Sequence, residues 1–510
     1  MEIIWSTVLT VWGWLLDHLL YINLAFSIII IFFQRRDPRS VWTWLLALYF
    51  IPVFGIVFYL LFGQDMKKSR MFRVKEVSDR LNLPVKSQED IIGSDDMPEE
   101  MMDPMSRDFK SLIIYNLETS GSVLTVNNQV QIYTDGQAKF EALRNALRQA
   151  RRFIHIQYYI IKNDELFDSI VPILLDKVRE GVEVRILCDG MGGRFMPKKR
   201  WDQMRRAGIK VGVFFPPFLG WLNLRVNYRN HRKIVVVDGA AGFVGGFNIG
   251  REYISRDPKF GYWRDTHLEI KGEAAISLQI RFALDWNYVT GENLFKEIRY
   301  FGEEAEYARR RLNGRIHAVW PDPEHVSEMV CMQIITSGPD TREPHIRNNY
   351  LELFHKAKHH IYIQTPYFIP DDAIFSSLKI AALSGVDVRL MIPCKPDHPF
   401  VYWATCSYAG ELLDYGARVY VYENGFLHSK GIMVDGRVSC YGTANMDIRS
   451  FELNFEVNAT IYDEDVTGQL EEAFMNDLPH CREITREEYG DRNLWMRIKE
   501  QSSRLLSPLL

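Results

Sequence analysis

The sequence is poor in the residues that build disulfide scaffolds and cysteine metal sites. Its 510 residues include only six cysteines, and no two of them form a C-x-x-C pair. Positive charge is not in excess either, because 61 Lys and Arg oppose 65 Asp and Glu, a net charge of −4. These shortages argue against a disulfide-rich fold, a cysteine-based zinc or iron–sulfur site, and a protein that coats nucleic acid by bulk charge.

Two phosphate-handling motifs are also missing. The chain has neither a G-x-x-x-x-G-K-[ST] loop nor an Asp-Gly-x-x-Ala-Arg frame, so no motif indicates a nucleotide-driven reaction. Hydrophobic residues make up 47% and charged residues 25% of the chain. This is the composition of a folded protein, and the length allows about three domains.

Long uncharged runs are confined to the N-terminus. Residues 41–62 carry no charge, and a helix over them would be about 33 Å long, enough to cross a bilayer core. The apolar stretch at residues 8–33 is interrupted by Asp17 and His18, and we expect either a full span or one arm of a shallow hairpin. A buried core helix is the weaker alternative for these runs.

Basic residues follow both apolar stretches, and the larger cluster, at residues 67–75, precedes the rest of the chain. Because positive flanks tend to stay in the cytosol, this cluster favours a cytoplasmic location for the rest of the chain. We therefore predict a membrane anchor at residues 1–64 with two transmembrane helices, which makes the chain a multi-pass protein of the inner or plasma membrane.

Beyond a basic and then acidic linker, predicted at residues 65–128, the chain repeats itself. Residues 154–161 recur at 361–369, 181–187 at 385–391, and 208–211 at 416–419, with offsets of 207, 204 and 208. Each copy alternates short apolar strands with amphipathic helical stretches, which is typical of α/β units with a buried sheet. The sequence predicts two like α/β domains, at 129–325 and 326–510, with a site between them; a purely structural duplication is the alternative.

Matched motifs close the two repeats. Each has a histidine, a lysine two residues later, an aspartate five residues after that and an asparagine ten further on: His231, Lys233, Asp238 and Asn248, then His428, Lys430, Asp435 and Asn445. Residues i and i+2 of a strand share a face, so each histidine and lysine should project together. Two such strands across a pseudo-dyad would gather imidazoles, ammonium groups and amides in one pocket.

That set of groups suits a phosphodiester. Lysines and amides neutralise and hold the non-bridging oxygens, one histidine attacks phosphorus, and the other, protonated, supplies a proton to the leaving alkoxide. A histidine-based metal site is the competing interpretation. The ammonium group beside each histidine repels a dication, and no carboxylate or cysteine lies nearby at ligand spacing. We therefore expect no catalytic metal and no cofactor.

The duplicated frame, together with the apolar N-terminus and its Arg35-Arg-Asp-Pro-Arg39 link, resembles the phospholipase D superfamily and, within it, the bacterial cardiolipin synthases. The resemblance covers essentially the whole chain. It implies duplicated phospholipase D-like domains, each a mixed sheet flanked by helices, with pseudo-twofold symmetry. It also implies an enzyme that converts two phosphatidylglycerol molecules into cardiolipin and glycerol through a phosphohistidine.

The resemblance also implies roles for single residues. His231 would be the nucleophile, and His428 the acid and then the base. A carboxylate downstream of each motif would orient the imidazole of that motif; Glu456 matches this position after His428, and Asp265 is its counterpart after His231. We expect Asp238 and Asp435 to position the lysine-bearing strands and not to touch substrate, and Asn248 and Asn445 to bind substrate.

Other functions stay open. The same frame would serve a phospholipase D that uses water, or a transphosphatidylase that uses another alcohol such as ethanolamine or serine. A nuclease is disfavoured by the near-neutral charge, and a silent scaffold by the two intact motifs. The expected partners are phosphatidylglycerol, cardiolipin and the bilayer, without nucleic acid. Acyl preference, oligomeric state and the identity of the nucleophilic histidine are left open.

Two further segments carry apolar residues. Residues 214–229 are longer than their counterpart in the second repeat, and they either rest in the membrane interface or shelter the active site. The tail at residues 494–510 places Trp495, Ile498, Leu505 and Leu506 on one helical face. This face docks either on the rest of the protein or on the membrane.

Overall fold

A computed structural model describes residues 13–14, 17–32, 38–62, 104–216, 227–301, 329–341, 343–505 and 507. The strands up to the end of the first repeat are β1 (Leu124–Thr125), β2 (Asn128–Tyr133), β3 (Phe153–Tyr158), β4 (Glu183–Asp189), β5 (Lys210–Phe214), β6 (Arg229–Asn230), β7 (Ile234–Val237), β8 (Ala241–Gly245), β9 (Trp263–Arg264) and β10 (His267–Gly272). The strands that follow are β11 (Cys331–Ser337), β12 (His360–Gln364), β13 (Phe368–Ile369), β14 (Asp387–Pro393), β15 (Arg418–Tyr422), β16 (Phe426–Leu427), β17 (Gly431–Val434), β18 (Val438–Gly442), β19 (Met446–Asp447), β20 (Asn454–Tyr462) and β21 (Cys481–Ile484).

The helices are α1 (Leu19–Phe32), α2 (Pro38–Phe50), α3 (Pro52–Phe62), α4 (Pro104–Asp108), α5 (Lys110–Ser120), α6 (Gly136–Gln149), α7 (Glu165–Arg179), α8 (Lys198–Arg206), α9 (Glu273–Thr290), α10 (His345–Lys356), α11 (Asp372–Leu383), α12 (Pro399–Leu413), α13 (Ile448–Glu452), α14 (Glu464–Asp477), α15 (Arg486–Gly490) and α16 (Leu494–Leu505). Short 3-10 turns lie at Gly192–Phe195, Arg251–Ile254, Leu294–Lys296, Ile298–Tyr300 and Leu478–His480.

The two sheets use one strand order twice. The first runs β2-β10-β8-β7-β3-β4-β5, and the second contains β11-β20-β18-β17-β12-β14-β15, extended by β1 at one edge and β21 at the other. In each sheet three parallel strands adjoin four antiparallel ones. The duplicated mixed α/β fold predicted from the repeats is confirmed.

Equivalent helices begin at equivalent caps. Asp164 accepts hydrogen bonds from the first turn of α7, and Asp371, at the corresponding place 207 residues later, accepts one from Ile374 N at 2.9 Å. An aspartate at this position satisfies backbone donors that have no partner within the helix. The same local signal therefore starts the same helix in both halves.

One apolar core is common to both halves. It contains Val244 and Leu268 from the first sheet, Met433 and Val457 from the second, and Phe282 from α9. Burial of these side chains away from water holds the two halves against each other. A site between the halves therefore rests on a packed interface.

The N-terminal helices differ from the prediction of one continuous helix over residues 41–62. The chain bends at Ile51, because Pro52 cannot donate a backbone hydrogen bond within the helix. Gly55 permits the bend, since a Cβ there would lie 2.4 Å from the carbonyl oxygen of Ala47. Within the described residues, no helix has both the length and the apolar character needed to cross a membrane.

Residues 104–125 also differ from the predicted linker. They form α4, α5 and β1, and Met105, Phe109 and Leu112 enter the core of the second half. Asn116 Nδ2 donates to Asn349 Oδ1 at 2.9 Å, so this segment is part of the second half although it precedes the first. The rest of the predicted linker up to residue 103, most of the apolar segment at 214–229, and the predicted domain boundary at 325/326 lie outside the described residues.

Candidate active site

Both histidine motifs lie immediately before equivalent strands. Residues 231–233 precede β7 and residues 428–430 precede β17, so the histidines and lysines are not inside the strands as predicted. Lys233 Nζ donates to the His231 carbonyl at 2.6 Å, and Lys430 Nζ donates to the His428 carbonyl. Each lysine therefore still lies beside its own histidine.

Two short parallel strand pairs connect each motif to the other half. β6 pairs with the start of β20, and β9 pairs with β16. Just beyond these pairs, His231 N donates to the Phe455 carbonyl at 3.0 Å, and His428 N donates to the Arg264 carbonyl at 2.7 Å. Each histidine is thus held next to a residue that directly precedes a carboxylate of the opposite half.

Each imidazole is bonded to a carboxylate across the interface. His231 Nδ1 lies 2.9 and 3.0 Å from the two carboxylate oxygens of Glu456, and His428 Nδ1 lies 2.6 Å from Asp265 Oδ2. The prediction named these carboxylates but gave each to the histidine of its own half. That pairing is wrong, because the strand pairs β6–β20 and β9–β16 exchange the partners.

The carboxylates define the reactive nitrogen of each ring. An ionised carboxylate only accepts, so in His231 Nδ1 carries the proton and Nε2 is the basic nitrogen. In His428, Nδ1 lies 2.8 Å from the Lys430 ammonium and 2.6 Å from Asp265 Oδ2, and the shorter contact, to the carboxylate, favours the same tautomer. Within the part of the chain that the structure describes, neither Nε2 has a hydrogen-bond partner. The side chains of His231 and His428 are 13% and 10% exposed, so both rings border an accessible pocket.

Burial destabilises the protonated forms of the basic groups in the pocket. Burial lowers the pKa of His231, and it lowers the pKa of His428 to about 4, with Lys430 contributing. Burial also lowers the pKa of Lys233 to about 7 and that of Lys430 to about 8. Lys430 further lowers the pKa of His231, and Lys233 that of His428, so the four groups share one electrostatic environment that favours an anion.

The two carboxylates stay ionised in spite of their burial. Burial raises the pKa of Asp265, but Lys430 and His428 lower it to below its ordinary value. Burial likewise raises the pKa of Glu456, and His231 and Lys233 bring it below the usual range. Both can therefore hold an imidazole in one tautomer and stabilise positive charge on it.

The comparisons with known proteins agree on one family. The family model described as "Cardiolipin synthase, PLD-like domain" matches residues 143–266 and 350–478. The chain is 44% identical over 501 residues to the major cardiolipin synthase ClsA of Bacillus subtilis, covering 97% of this chain and 99% of that protein. It is 47% identical over 491 residues to a cardiolipin synthase 2 of Staphylococcus epidermidis, covering 96% of each chain. The chain belongs to the phospholipase D-like cardiolipin synthases.

Two further matches concern the fold and the N-terminus. The crystal structure of a phosphatidylserine synthase from Haemophilus influenzae aligns with a TM-score of 0.58 at 16% identity, over 80% of this chain and 98% of that one, and so shares the fold. A phospholipase D–nuclease N-terminal model matches residues 22–64 of the enzyme.

The motif aspartates of the enzyme lie at the far ends of β7 and β17 from the histidines. Asp238 accepts the backbone N–H groups of residues 151, 152 and 153 at 2.7, 2.7 and 2.8 Å. Asp435 accepts those of residues 358, 359 and 360 at 2.7, 2.8 and 2.8 Å. These contacts tie β7 to the start of its antiparallel neighbour β3, and β17 to the start of its antiparallel neighbour β12, and they do not reach the pocket.

The motif asparagines are engaged with the protein. Asn248 Oδ1 accepts from Ile160 N at 3.1 Å, and its Nδ2 donates to the Tyr253 hydroxyl at 3.0 Å. Asn445 Nδ2 donates to Asp447 Oδ2 at 3.3 Å, whereas Asn445 Oδ1 is buried without a partner among the described residues. The two predicted residues therefore differ: both side-chain groups of Asn248 are hydrogen-bonded, whereas the side-chain oxygen of Asn445 is unsatisfied.

Aromatic rings pack around both histidines, and the sequence motifs did not predict them. The Tyr159 ring meets His231 edge-on at 5.1 Å, and the Trp263 ring lies 5.0 Å from His428. Such rings limit the directions in which an imidazole can turn. No local motif marks them, but Tyr159 follows the first repeat strand and Trp263 lies two residues before Asp265.

Buried ion pairs support the two histidine segments. Arg232 Nη1 lies 2.7 Å from Asp285 Oδ2, and Arg264 Nη2 lies 2.8 Å from Asp477 Oδ2. A glutamine donates to each of these carboxylates, Gln157 to Asp285 at 2.8 Å and Gln364 to Asp477 at 2.9 Å. The recurrence of glutamine in the repeated strand was the sequence signal for this support.

Proposed function

We propose that the enzyme makes cardiolipin and glycerol from two phosphatidylglycerol molecules, with His231 as the nucleophile and His428 as the acid and base. The observation that carries this proposal is the pair of histidine–carboxylate bonds exchanged across the interface, together with two lysines in the same pocket. Neutral His231 is a competent nucleophile because burial lowers its pKa.

In the first step His231 Nε2 attacks the phosphorus of one phosphatidylglycerol. A P–N bond forms, the P–O bond to glycerol breaks, and His428 donates its proton to the departing oxygen. Glu456 stabilises the positive charge that develops on the His231 ring, while Lys233 and Lys430 bind the non-bridging oxygens. The phosphodiester anion supplies the field that protonates His428 in the occupied pocket.

In the second step a head-group hydroxyl of another phosphatidylglycerol enters. His428, now neutral, takes the hydroxyl proton, the oxygen attacks phosphorus, and the P–N bond breaks to release cardiolipin and His231. One phosphodiester is exchanged for another, so the bond energy kept in the phosphohistidine is sufficient and no nucleotide is required. Asp238 and Asp435 hold the motif strands, and Asn248 and Asn445 bind substrate, Asn445 through the Oδ1 that has no partner among the described residues.

The remaining features of the chain fit a membrane enzyme. Residues 1–64, with apolar segments at about 8–33 and 41–62, anchor the protein in the inner or plasma membrane, and the catalytic domains lie on the cytoplasmic side. The N-terminal family match at residues 22–64 supports an anchor as a separate unit. The two catalytic domains are divided near residue 325, and the second also includes residues 104–125.

A product assay tests the reaction. Purified full-length protein in phosphatidylglycerol liposomes, with EDTA and without nucleotide, should form cardiolipin and free glycerol detectable by mass spectrometry, and H231A should form neither. Phosphatidic acid as the only product would make water the acceptor and the enzyme a phospholipase D. Addition of ethanolamine or serine identifies another alcohol acceptor if its phosphatidyl ester replaces cardiolipin.

A trapping experiment tests the roles of the histidines. With a ³²P-labelled phosphatidyl ester of p-nitrophenol, whose leaving group needs no proton, H428N should retain a labelled protein, since the phosphohistidine forms but no base activates the acceptor that would resolve it, and H231N should retain none. The opposite pattern would exchange the two roles.

A further inference from the structure

Helix α16 presents its polar side to the protein and its apolar side outward. Glu500 and Ser503 are buried, and Arg504 Nη2 lies 2.6 Å from Glu411 of α12. Four large apolar side chains of the same helix are exposed: Leu494 (73%), Trp495 (64%), Ile498 (44%) and Leu505 (79%). This arrangement is the reverse of an ordinary surface helix.

The apolar residues form a single stripe. At about 100° per residue, Leu494, Leu505, Ile498 and Trp495 fall within an arc of about 100°, directly opposite Ser503 and Glu500. The ion pairs Arg504–Glu411 and Arg492–Glu500, the latter at 3.0 Å, fix the rotation of the helix about its axis. The exposure is therefore set by specific contacts on the polar side.

The stripe continues onto the first turns of α12. Lys499 Nζ lies 5.0 Å from the Trp403 ring and 5.7 Å from the Trp495 ring, which joins the two helices. Phe400, one turn before Trp403, is 59% exposed. We call these exposed residues (Phe400, Leu494, Trp495, Ile498 and Leu505) the α16 surface.

The α16 surface lies at the edge of the molecule that holds the active site. α12 follows the carboxyl end of the parallel strand β14. Asp397, two residues before α12, accepts from the Tyr367 hydroxyl and is near enough to Lys430 to raise its pKa. A bilayer that meets the α16 surface would therefore be close to the pocket entrance.

Basic residues border the stripe on both sides. On the helical projection Arg497 and Lys499 flank the apolar arc. The Arg497 guanidinium donates to the carbonyls of Gly490 and Arg492, and the Lys499 ammonium lies beside the two tryptophan rings, so both charges are held at the border of the stripe. In a symmetric dimer formed through this surface, the cations of one copy would face the same cations of the other copy. Their repulsion disfavours self-association. Apolar area with a basic border is complementary to an anionic lipid surface.

We propose that the α16 surface docks the catalytic domains on an anionic bilayer, so that the pocket receives lipid directly from the membrane. This inference rests on the proposed function only in requiring that the substrate is a membrane lipid. The apolar stripe enters the interface, and the basic border contacts lipid phosphates.

The test compares substrate in vesicles with the same head group in monomeric form. The full-length variant L494S/W495S/I498S should lose about tenfold or more of its activity on phosphatidylglycerol vesicles, and keep its activity on short-chain phosphatidylglycerol below its critical micelle concentration. The matched control I380S/L383S changes exposed apolar residues at the C-terminal end of α11, which leads into β14. This variant should behave as the unchanged enzyme in both assays.

A second measurement locates the surface directly. Bimane attached to I498C should be quenched by lipids brominated in their acyl chains, and bimane at L383C should not. Equal vesicle activity of the triple variant, or no quenching at residue 498, would overturn the proposal. If the unchanged enzyme is dimeric in solution and the triple variant is monomeric with full vesicle activity, the surface belongs to a contact with a second copy. Absence of cardiolipin from monomeric substrate in every variant would instead refute the proposed function.

Discussion

Because each carboxylate contacts the histidine of the opposite half, the rate defect of each carboxylate variant should match that of one particular histidine variant. Glu456 contacts His231, and Asp265 contacts His428, although each carboxylate follows the other histidine in sequence. E456Q should therefore reproduce the defect of H231A in milder form, and D265N the defect of H428A. The perturbation is small in volume, so the fold should be retained.

The size of the effect follows from the surroundings of Glu456. Both partners are buried, and a hydrogen bond to a charged group contributes about 1.5–3 kcal/mol. A glutamine keeps the shape but loses the charge that stabilises the imidazolium. Its amide NH₂ would face either Asn454 Nδ2, which donates to Glu456 Oε1 at 3.2 Å, or the Thr443 hydroxyl, which donates to Glu456 Oε2. At about 1.4 kcal/mol per tenfold in rate, E456Q should be slower by about 10- to 150-fold.

The assay uses two substrates that differ in the leaving group. On phosphatidylglycerol the departing alkoxide needs a proton, whereas a phosphatidyl ester of p-nitrophenol releases a stable phenolate without one. Variants of the acid should recover much of their rate of leaving-group release on the activated ester, and variants of the nucleophile should not. We expect H428A and D265N to recover, and H231A and E456Q to remain slow.

The comparison does not depend on which histidine is the nucleophile. Each carboxylate variant is matched to a histidine variant by its pattern across the two substrates, so the pairing is read directly. If E456Q recovers together with H428A while H231A and D265N stay slow, the carboxylates serve the histidines of their own halves and the exchanged pairing is refuted. Circular dichroism and thermal unfolding check that all four variants are folded.

Three further predictions follow from the site. D238A should lower the Tm by several degrees through the loss of three backbone acceptor contacts, while the surviving folded fraction keeps its turnover number. G246A should abolish activity, because a Cβ there would lie 1.9 Å from Asp265 Oδ1, whereas G468A, with open space around it, should be neutral or stabilising. Binding of dimethyl phosphate at pH 7 should take up at least about one proton, since the anion raises pKa values that lie near or below that pH; calorimetry in buffers of different ionisation enthalpy measures it, and no uptake would contradict the lowered pKa values of His428 and Lys233.

The duplicated fold could be predicted because the repeats keep their spacing. Strands and helices in the same order at offsets near 207 lead to the same sheet twice. Residues 104–125 could not be placed in this way, since β1 pairs with β11 about two hundred residues later, opposite Gln333 and Met332. No local period encodes the partner of so distant a contact, and only packing decides it.

In the candidate site, too, the sequence predicted the residues but not which of them contact each other. The motifs identify His231, His428 and both carboxylates, but the pairing depends on β6 and β9, which have two residues each. Strands this short have no measurable alternation. The tail gives a parallel case: its apolar stripe is visible in the sequence, whereas the contacts of Arg504 and Arg492 determine which side of the helix meets the protein.

If His428 is the acid, as proposed, the arrangement of charges predicts that it is protonated only when substrate is bound. The pKa of Lys233 is lowered to about 7, so substrate binding completes its protonation; with both lysines then protonated, both carboxylates ionised and both imidazoles neutral, the six groups sum to zero. A phosphodiester adds one negative charge, and protonation of His428 cancels it, although burial lowers the pKa of His428 to about 4. The proton then leaves with glycerol, and the phosphohistidine, with a positive ring and a negative phosphoryl group, is neutral again. Each stage of the proposed reaction therefore keeps the pocket neutral, because a buried net charge is costly, and the substrate itself supplies the condition under which His428 can donate.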